Sequence, residues 1–319
     1  MIVRPNPDAL MAGGLAQWLA AQDESRAQAR KLVRQRRILA VLGALAVAAI
    51  VFLFERDPIS PLQFAGGALF GGLAWAQAAK RPVTDKLKGG INGAIARALE
   101  MEFSLLALPG PEFQRIKRFR MVRSYDRSEF QDCWSGEIGD RSFRLYEAHL
   151  EDRQGSGKNQ RWVTVFRGSV INVAFAREFL GTTLIERERS RRSWFGLGAE
   201  KEELEFDGSV LQRCAMVDPR FEDEFTVWST DPVEGRYLVH PEYIERLIAV
   251  EQAFAGKEVR ALFCGGDLTI LVETGDLFES GSLEADQDRM LLERTIEQFG
   301  SLAELAARLN ERPREAAPA

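Results

Sequence analysis

Seventeen consecutive residues, Ile38 to Phe54, contain no polar side chain. A helix on the surface of a globular domain keeps a polar face toward water, and this run has none. A second apolar stretch, Pro61 to Ala79, is interrupted only by Gln63 and Gln77, and the polar turn Glu55–Ser60 separates the two. About 17–25 apolar residues cross a hydrocarbon core as a helix. In lipid the backbone groups must be satisfied within the segment, so both stretches should be helical. A turn this short makes them antiparallel. The pattern predicts a transmembrane helical hairpin, 38–54 and 61–79. A cleaved signal peptide fits poorly, because the first run starts deep in the chain and a second follows at once.

Chain averages conceal this hairpin. The 319 residues are 45% hydrophobic with a net charge of −5, and the mean hydropathy is −0.19. Those values exclude a polytopic transporter and a wholly disordered chain. The acidic balance also argues against a nucleic-acid partner held by global charge. The balance is uneven, however. Residues 1–88 carry 12 Lys and Arg against 6 Asp and Glu, and the remainder carries 30 against 41.

The basic residues sit on both outer flanks of the hairpin. Arg26, Arg30, Lys31, Arg34, Arg36 and Arg37 precede it, Lys80, Arg81, Lys86 and Lys88 follow it, and the turn has Arg56 alone. Positive flanks stay inside, so both termini and the main body are expected in the cytoplasm. Cys133, Cys214 and Cys264 form no CxxC pair and are odd in number, which fits reduced thiols. Small residues mark the second span, and Gly67 and Gly71 form a GxxxG step suited to close helix packing. Its use is either the first span or a second copy in a homo-oligomer.

Around the hairpin the chain divides further. Residues 1–37 read as a cytoplasmic basic helical segment in which Arg26, Arg30, Arg34 and Arg37 share a face, an anionic-lipid stripe beside the bilayer. Residues 80–108 read as a juxtamembrane helix, with Leu87, Ile91, Ile95 and Leu99 at every fourth position. From 109 to 311 strand patterns dominate, with hairpins at Gly139-Asp140 and Gly265-Gly266-Asp267. Gly235–Val239 reads as a strand there, and Pro241–Phe254 and Asp286–Asn310 as helices. Hairpins in place of repeated βαβ units imply an α+β fold with mainly antiparallel sheet. Residues 312–319 read as a disordered tail.

Chemistry-bearing motifs are scarce. The chain has no GxGxxG, no GxxxxGK[ST], no HExxH and no GxSxG, so no cofactor is evident. Glu147, His149 and Glu151 alternate on one strand and so share a face, which could hold a divalent metal. A solvated strand face gives the same alternation. Arg189, Arg191, Arg192, Trp194, Phe195 and Leu197 place arginines beside aromatics in a pattern suited to membrane contact.

Several short motifs recur in a distinctive order. They are Ser124–Ser128, Glu147–Glu151, Val165-Phe166-Arg167-Gly168, Asp218–Phe225, Gly235–Pro241 and Asp276-Leu277-Phe278-Glu279. This succession behind a membrane hairpin resembles the bacterial family called domain of unknown function 3137. The resemblance implies a membrane protein with a cytoplasmic domain, and it supplies no catalytic residues; the location expected for the chain is the bacterial inner membrane. The expected role is a binding or scaffolding domain whose partners are the bilayer and another protein. A membrane-bound enzyme, metal-dependent through Glu147, His149 and Glu151, is the alternative.

Overall fold

A computed structural model describes residues 4–54, 60–175, 178–187, 202–206, 208–216, 222, 224–253 and 256–309. It divides into two compact units. One comprises residues 5–95 and 279–295, and the other comprises 1–4, 96–278 and 296–319.

The helical unit begins with short turns. Asn6 caps the first by accepting from the Asp8 and Ala9 amides. Gly14, at φ +105°, breaks the helix before Ala16–Ala20. Helix α1 then runs unbroken over Asp23–Phe54, α2 over Ser60–Ala78, and α3 over Arg81–Ala98. The basic segment and the first apolar run are therefore one helix from Asp23 onward. Among the described residues, α1 alone is long and apolar enough to cross a membrane. Glycine and glutamine dilute α2.

Helices α1 and α2 lie antiparallel. Arg36 stacks 4.5 Å over the Trp75 ring and donates to its carbonyl oxygen at 3.1 Å. One turn on, Gly72 faces Ala40 so closely that a Cβ would stand 2.5 Å from the Ala40 Cβ. Close approach thus occurs at Gly72, whereas Gly67 and Gly71 look onto open space.

The sheet unit is α+β, as its hairpins imply. Its strands are β1 Glu102–Leu106, β2 Arg127–Glu137, β3 Ser142–Gln154, β4 Arg161–Ala174, β5 Thr183–Arg187, β6 Glu203–Phe206, β7 Ser209–Arg213, β8 Phe225–Ser229, β9 Lys257–Cys264 and β10 Asp267–Glu273. These ten described strands form one sheet in the order β1-β2-β3-β4-β10-β9-β5-β8-β7-β6, and every pair is antiparallel. Gly139 and Asp140 both have φ near +60°, which the tight β2–β3 turn requires, and Gly265 and Gly266 do the same between β9 and β10.

Helices α4 (Pro111–Arg118), α5 (Pro232–Leu238), α6 (Pro241–Ala253) and α7 (Asp288–Leu309) complete the described elements. The core gathers Phe113, Ile116, Tyr146, Phe166, Trp228 and Leu271. Trp134 stacks on Phe299 at 4.5 Å, so the C-terminal half of α7 lies against β2.

Two local expectations are corrected. Gly235–Val239 is not a strand, because Asp231 accepts from the Val233 and Glu234 amides and Pro232 takes the first helical position, which starts α5. Residues 102–106 are not helical. The chain turns through Glu100 at φ +57°, Met101 closes the end of α3 on the Ala96 carbonyl, and β1 follows.

Candidate functional site

The three residues expected to share a metal lie along β3, each engaged separately. Glu147 is buried at 5% exposure and accepts from the Leu277 amide at 2.7 Å and from Gln131 Nε2 at 3.4 Å. His149 Nε2 lies 3.0 Å from Thr164 Oγ1 and 3.9 Å from Glu151 Oε1. Glu151 pairs with Arg127, whose guanidinium also stacks over Trp162. Among the described residues no group of three His, Cys, Asp or Glu side chains is placed to hold a metal.

What covers this face is the chain just after β10. Arg167 on β4 is the register partner of His149, and it grips Asp276 with two nitrogens at 2.5–3.1 Å. That contact raises the Arg167 pKa above the ordinary arginine value. The next amide, Leu277, goes to Glu147. Residues 276–278 therefore cross over β4 and β3, and Phe278 reaches Trp134 at 5.4 Å. Gly168 is needed where β4 meets β10, because a Cβ there would collide with the Val272 carbonyl oxygen.

Beside this crossing lies a cleft of about 370 Å³, lined by Thr164, Val165, Arg167, Lys257, Glu273 and Thr274 among others. Two register shifts shape it. Leu150 and Glu151 pair with Phe166 and Thr164, so Val165 is an extra residue in β4. Leu271 and Glu273 pair with Arg260 and Lys257, and Glu258 takes up the surplus at φ +56°. Bulges of this kind re-aim side chains at the ends of sheets. Glu273 is paired with Arg260 at 3.1 Å. Thr274 is 9% exposed, and its hydroxyl has no hydrogen-bond partner among the described residues.

Residues 164–311, from this cleft through α7, match the family model described as "Protein of unknown function (DUF3137)". This span, just under half of the chain, is similar to the domain of unknown function 3137. The matched span includes Arg167, Gly168 and Asp276, while Glu147 and the first three strands precede it. No curated protein matches the chain. Among solved structures, the crystal structure of the mycobacterial trehalose monomycolate transport factor A, TtfA, is 12% identical over 72% of this chain and 98% of that one, with a TM-score of 0.34. A likeness at that level says nothing of what this chain does.

Within the matched span, a carboxylate just before the Gly235–Pro241 motif holds backbone. Glu234 accepts from the Leu180 and Gly181 amides at 2.9 and 2.7 Å. His240 precedes α6, and burial lowers its imidazole pKa. Cys214 is buried, which raises its thiol pKa and leaves little thiolate. Most of the Asp218–Phe225 motif lies outside the described residues, as do Arg189, Arg191, Arg192, Trp194, Phe195 and Leu197.

The arginine stripe divides in two. Arg26 is 1% exposed and binds both oxygens of Asp288 at 2.7 and 2.8 Å. Arg30 donates to the Leu283 carbonyl and to Glu284. Arg34 and Arg37 remain exposed. Lys257 and Thr274 carried no signal in the sequence, since their importance depends on where the register shifts fall.

Proposed function

We propose that the chain is a membrane-anchored binding domain. In this reading α1 and α2 cross the bilayer as a hairpin, and the sheet unit works in the cytoplasm beside an inner membrane. One observation carries the reading. Along α1 the large apolar side chains on the faces not covered by α2 point outward, with Leu42, Leu45, Phe52, Leu53 and Phe54 at 56–84% exposure. Moving each into an apolar phase is worth roughly 1.5–3 kcal/mol, and lipid supplies that phase.

Arg34 and Arg37 suit the anionic headgroup region, and the open Gly67–Gly71 face suits a second copy. Binding is favoured over catalysis because the carboxylates of the candidate face are already engaged by backbone amides and arginines.

Reporter fusions test the topology. A reporter active only in the cytoplasm should work at both termini, and one active only outside should work when inserted at Asp57. External activity at the C-terminus would overturn the reading.

A further inference from the structure

Strand β10 leaves the sheet where β4 continues. Their pairing ends at Gly168 opposite Glu273, and the last backbone contact is the Thr274 amide to the Arg167 carbonyl at 3.1 Å. On its other side β4 stays paired with β3 out to Arg161 opposite Gln154. Among the described residues, no strand pairs with the β10-side edge of residues 161–166. The cleft opens beside that edge. An uncovered strand edge is a row of hydrogen-bonding groups that an extended chain can complete.

We propose that this notch receives an extended acidic peptide segment of a partner protein, added to β4 as a further strand. The proposal rests on the binding-domain reading and names the class of partner.

Charge selects the occupant. Arg161 and Lys257 flank the notch, both exposed and both without a side-chain partner among the described residues. The acidic residue in the cleft lining, Glu273, is already matched to Arg260, and Asp276 and Glu151 beside it are matched to Arg167 and Arg127, while Asp152 and Glu258 lie outside the lining. Lys257 in the lining and Arg161 at the strand end are thus cations that no described carboxylate pairs. A second copy of this chain fits poorly, because antiparallel pairing centred on Thr164 sets Arg161 opposite Arg167, and like charges directly opposed are destabilising.

The hydroxyl of Thr274 points the same way. Buried hydroxyls are almost always hydrogen-bonded, and this one, on a residue that lines the cleft, has no partner among the described residues. The backbone of an added strand supplies donors and acceptors at that level. In this mode main-chain bonds give affinity and side chains beside the edge give specificity.

The test uses the full chain in detergent micelles and a fluorescein-labelled heptapeptide alternating Glu with Val. Anisotropy should report binding, and hydrogen exchange in 161–166 should slow at saturation. The counterpart with Lys in place of Glu should not bind, and millimolar inorganic phosphate should not displace the acidic peptide. Arg161→Glu with Lys257→Glu should weaken binding by roughly tenfold or more. Both positions are exposed, so an unchanged melting curve certifies the variant, and the wild-type arms stand without it. Absent protection at 161–166, equal binding of the Lys peptide, or displacement by phosphate would overturn the proposal, the last by showing a small-anion site. None of these readouts depends on membrane insertion, so failure here is distinct from failure of the anchor.

Discussion

In the sheet unit, buried carboxylates accept from backbone amides: Glu147 holds Leu277, and Glu234 holds Leu180 and Gly181. In the helical unit, buried charge is matched with charge. Arg26 meets Asp288 there, and the buried Lys88 meets the more exposed Glu279. The apolar surfaces differ too. Trp134, Phe143, Phe166 and Phe263 are hidden in the sheet unit, whereas Phe52, Leu53 and Phe54 of α1 are bare. The contrast is what the proposed anchor requires, two units built for different solvents. The sheet unit hides its large apolar side chains, with acidic side chains fixing backbone that passes beside its strands. The helical unit leaves its apolar surface for something outside the chain.

The largest effect should come from the β4–β10 contact. Gly168→Val would drive a branched side chain into the Val272 carbonyl and the Glu273 backbone, with an expected loss of about 3 kcal/mol or more. Thermal unfolding followed by circular dichroism reads it. An unchanged midpoint would mean that the strands meet less closely than described.

On the helical side, Arg26→Met leaves Asp288 buried without its cation, a change expected to destabilise by about 3–5 kcal/mol. Adding Asp288→Leu should restore most of the loss. If the double variant is no better than the single, the pair does not act as a buried unit. The Asp288 carboxyl has a raised pKa, chiefly from burial, with Arg26 opposing the shift.

A smaller effect is expected at a helix start. Asp231→Ala removes the acceptor for the Val233 and Glu234 amides, which typically costs about 1 kcal/mol. Denaturant unfolding should show the midpoint shifted with its slope kept. No shift would argue that Pro232 alone starts α5.

The smallest is a pH effect. Burial lowers the His240 pKa, so the fold favours the neutral ring. That contribution is complete above the ordinary histidine value of about 6.5, and it is lost as pH falls through the lowered folded value. His240→Gln should flatten the acid side of the stability profile between about 6.5 and the lowered folded value. An identical acid limb in both proteins would contradict it.

Local chemistry was readable in the sequence, and long-range placement was not. Gly139-Asp140 announces its hairpin because both positions must take positive φ, and Gly265-Gly266 does likewise. Gly235–Val239 misleads because a short run ending in Tyr-Leu-Val resembles a strand, while the decisive signal, Asp231-Pro232, lies just upstream. The helix expected to reach Leu108 ends at Ala98, since edge pairing with β2 claims residues 102–106.

For the candidate site, the alternation of Glu147, His149 and Glu151 gives a strand face. It cannot show that the amide of Leu277, 130 residues on, lies over it. The cleft is less visible still, because Thr274 and Lys257 meet only through the register of β4, β10 and β9.

The contrast between the units reduces to where α1 resides. Alkaline carbonate extraction of membranes from cells making the full chain tests it most directly. The account predicts that the chain stays in the membrane pellet at high pH and that a variant lacking Ile38–Phe54 and Pro61–Ala79 moves to the soluble fraction. Release of the full chain by carbonate would contradict it.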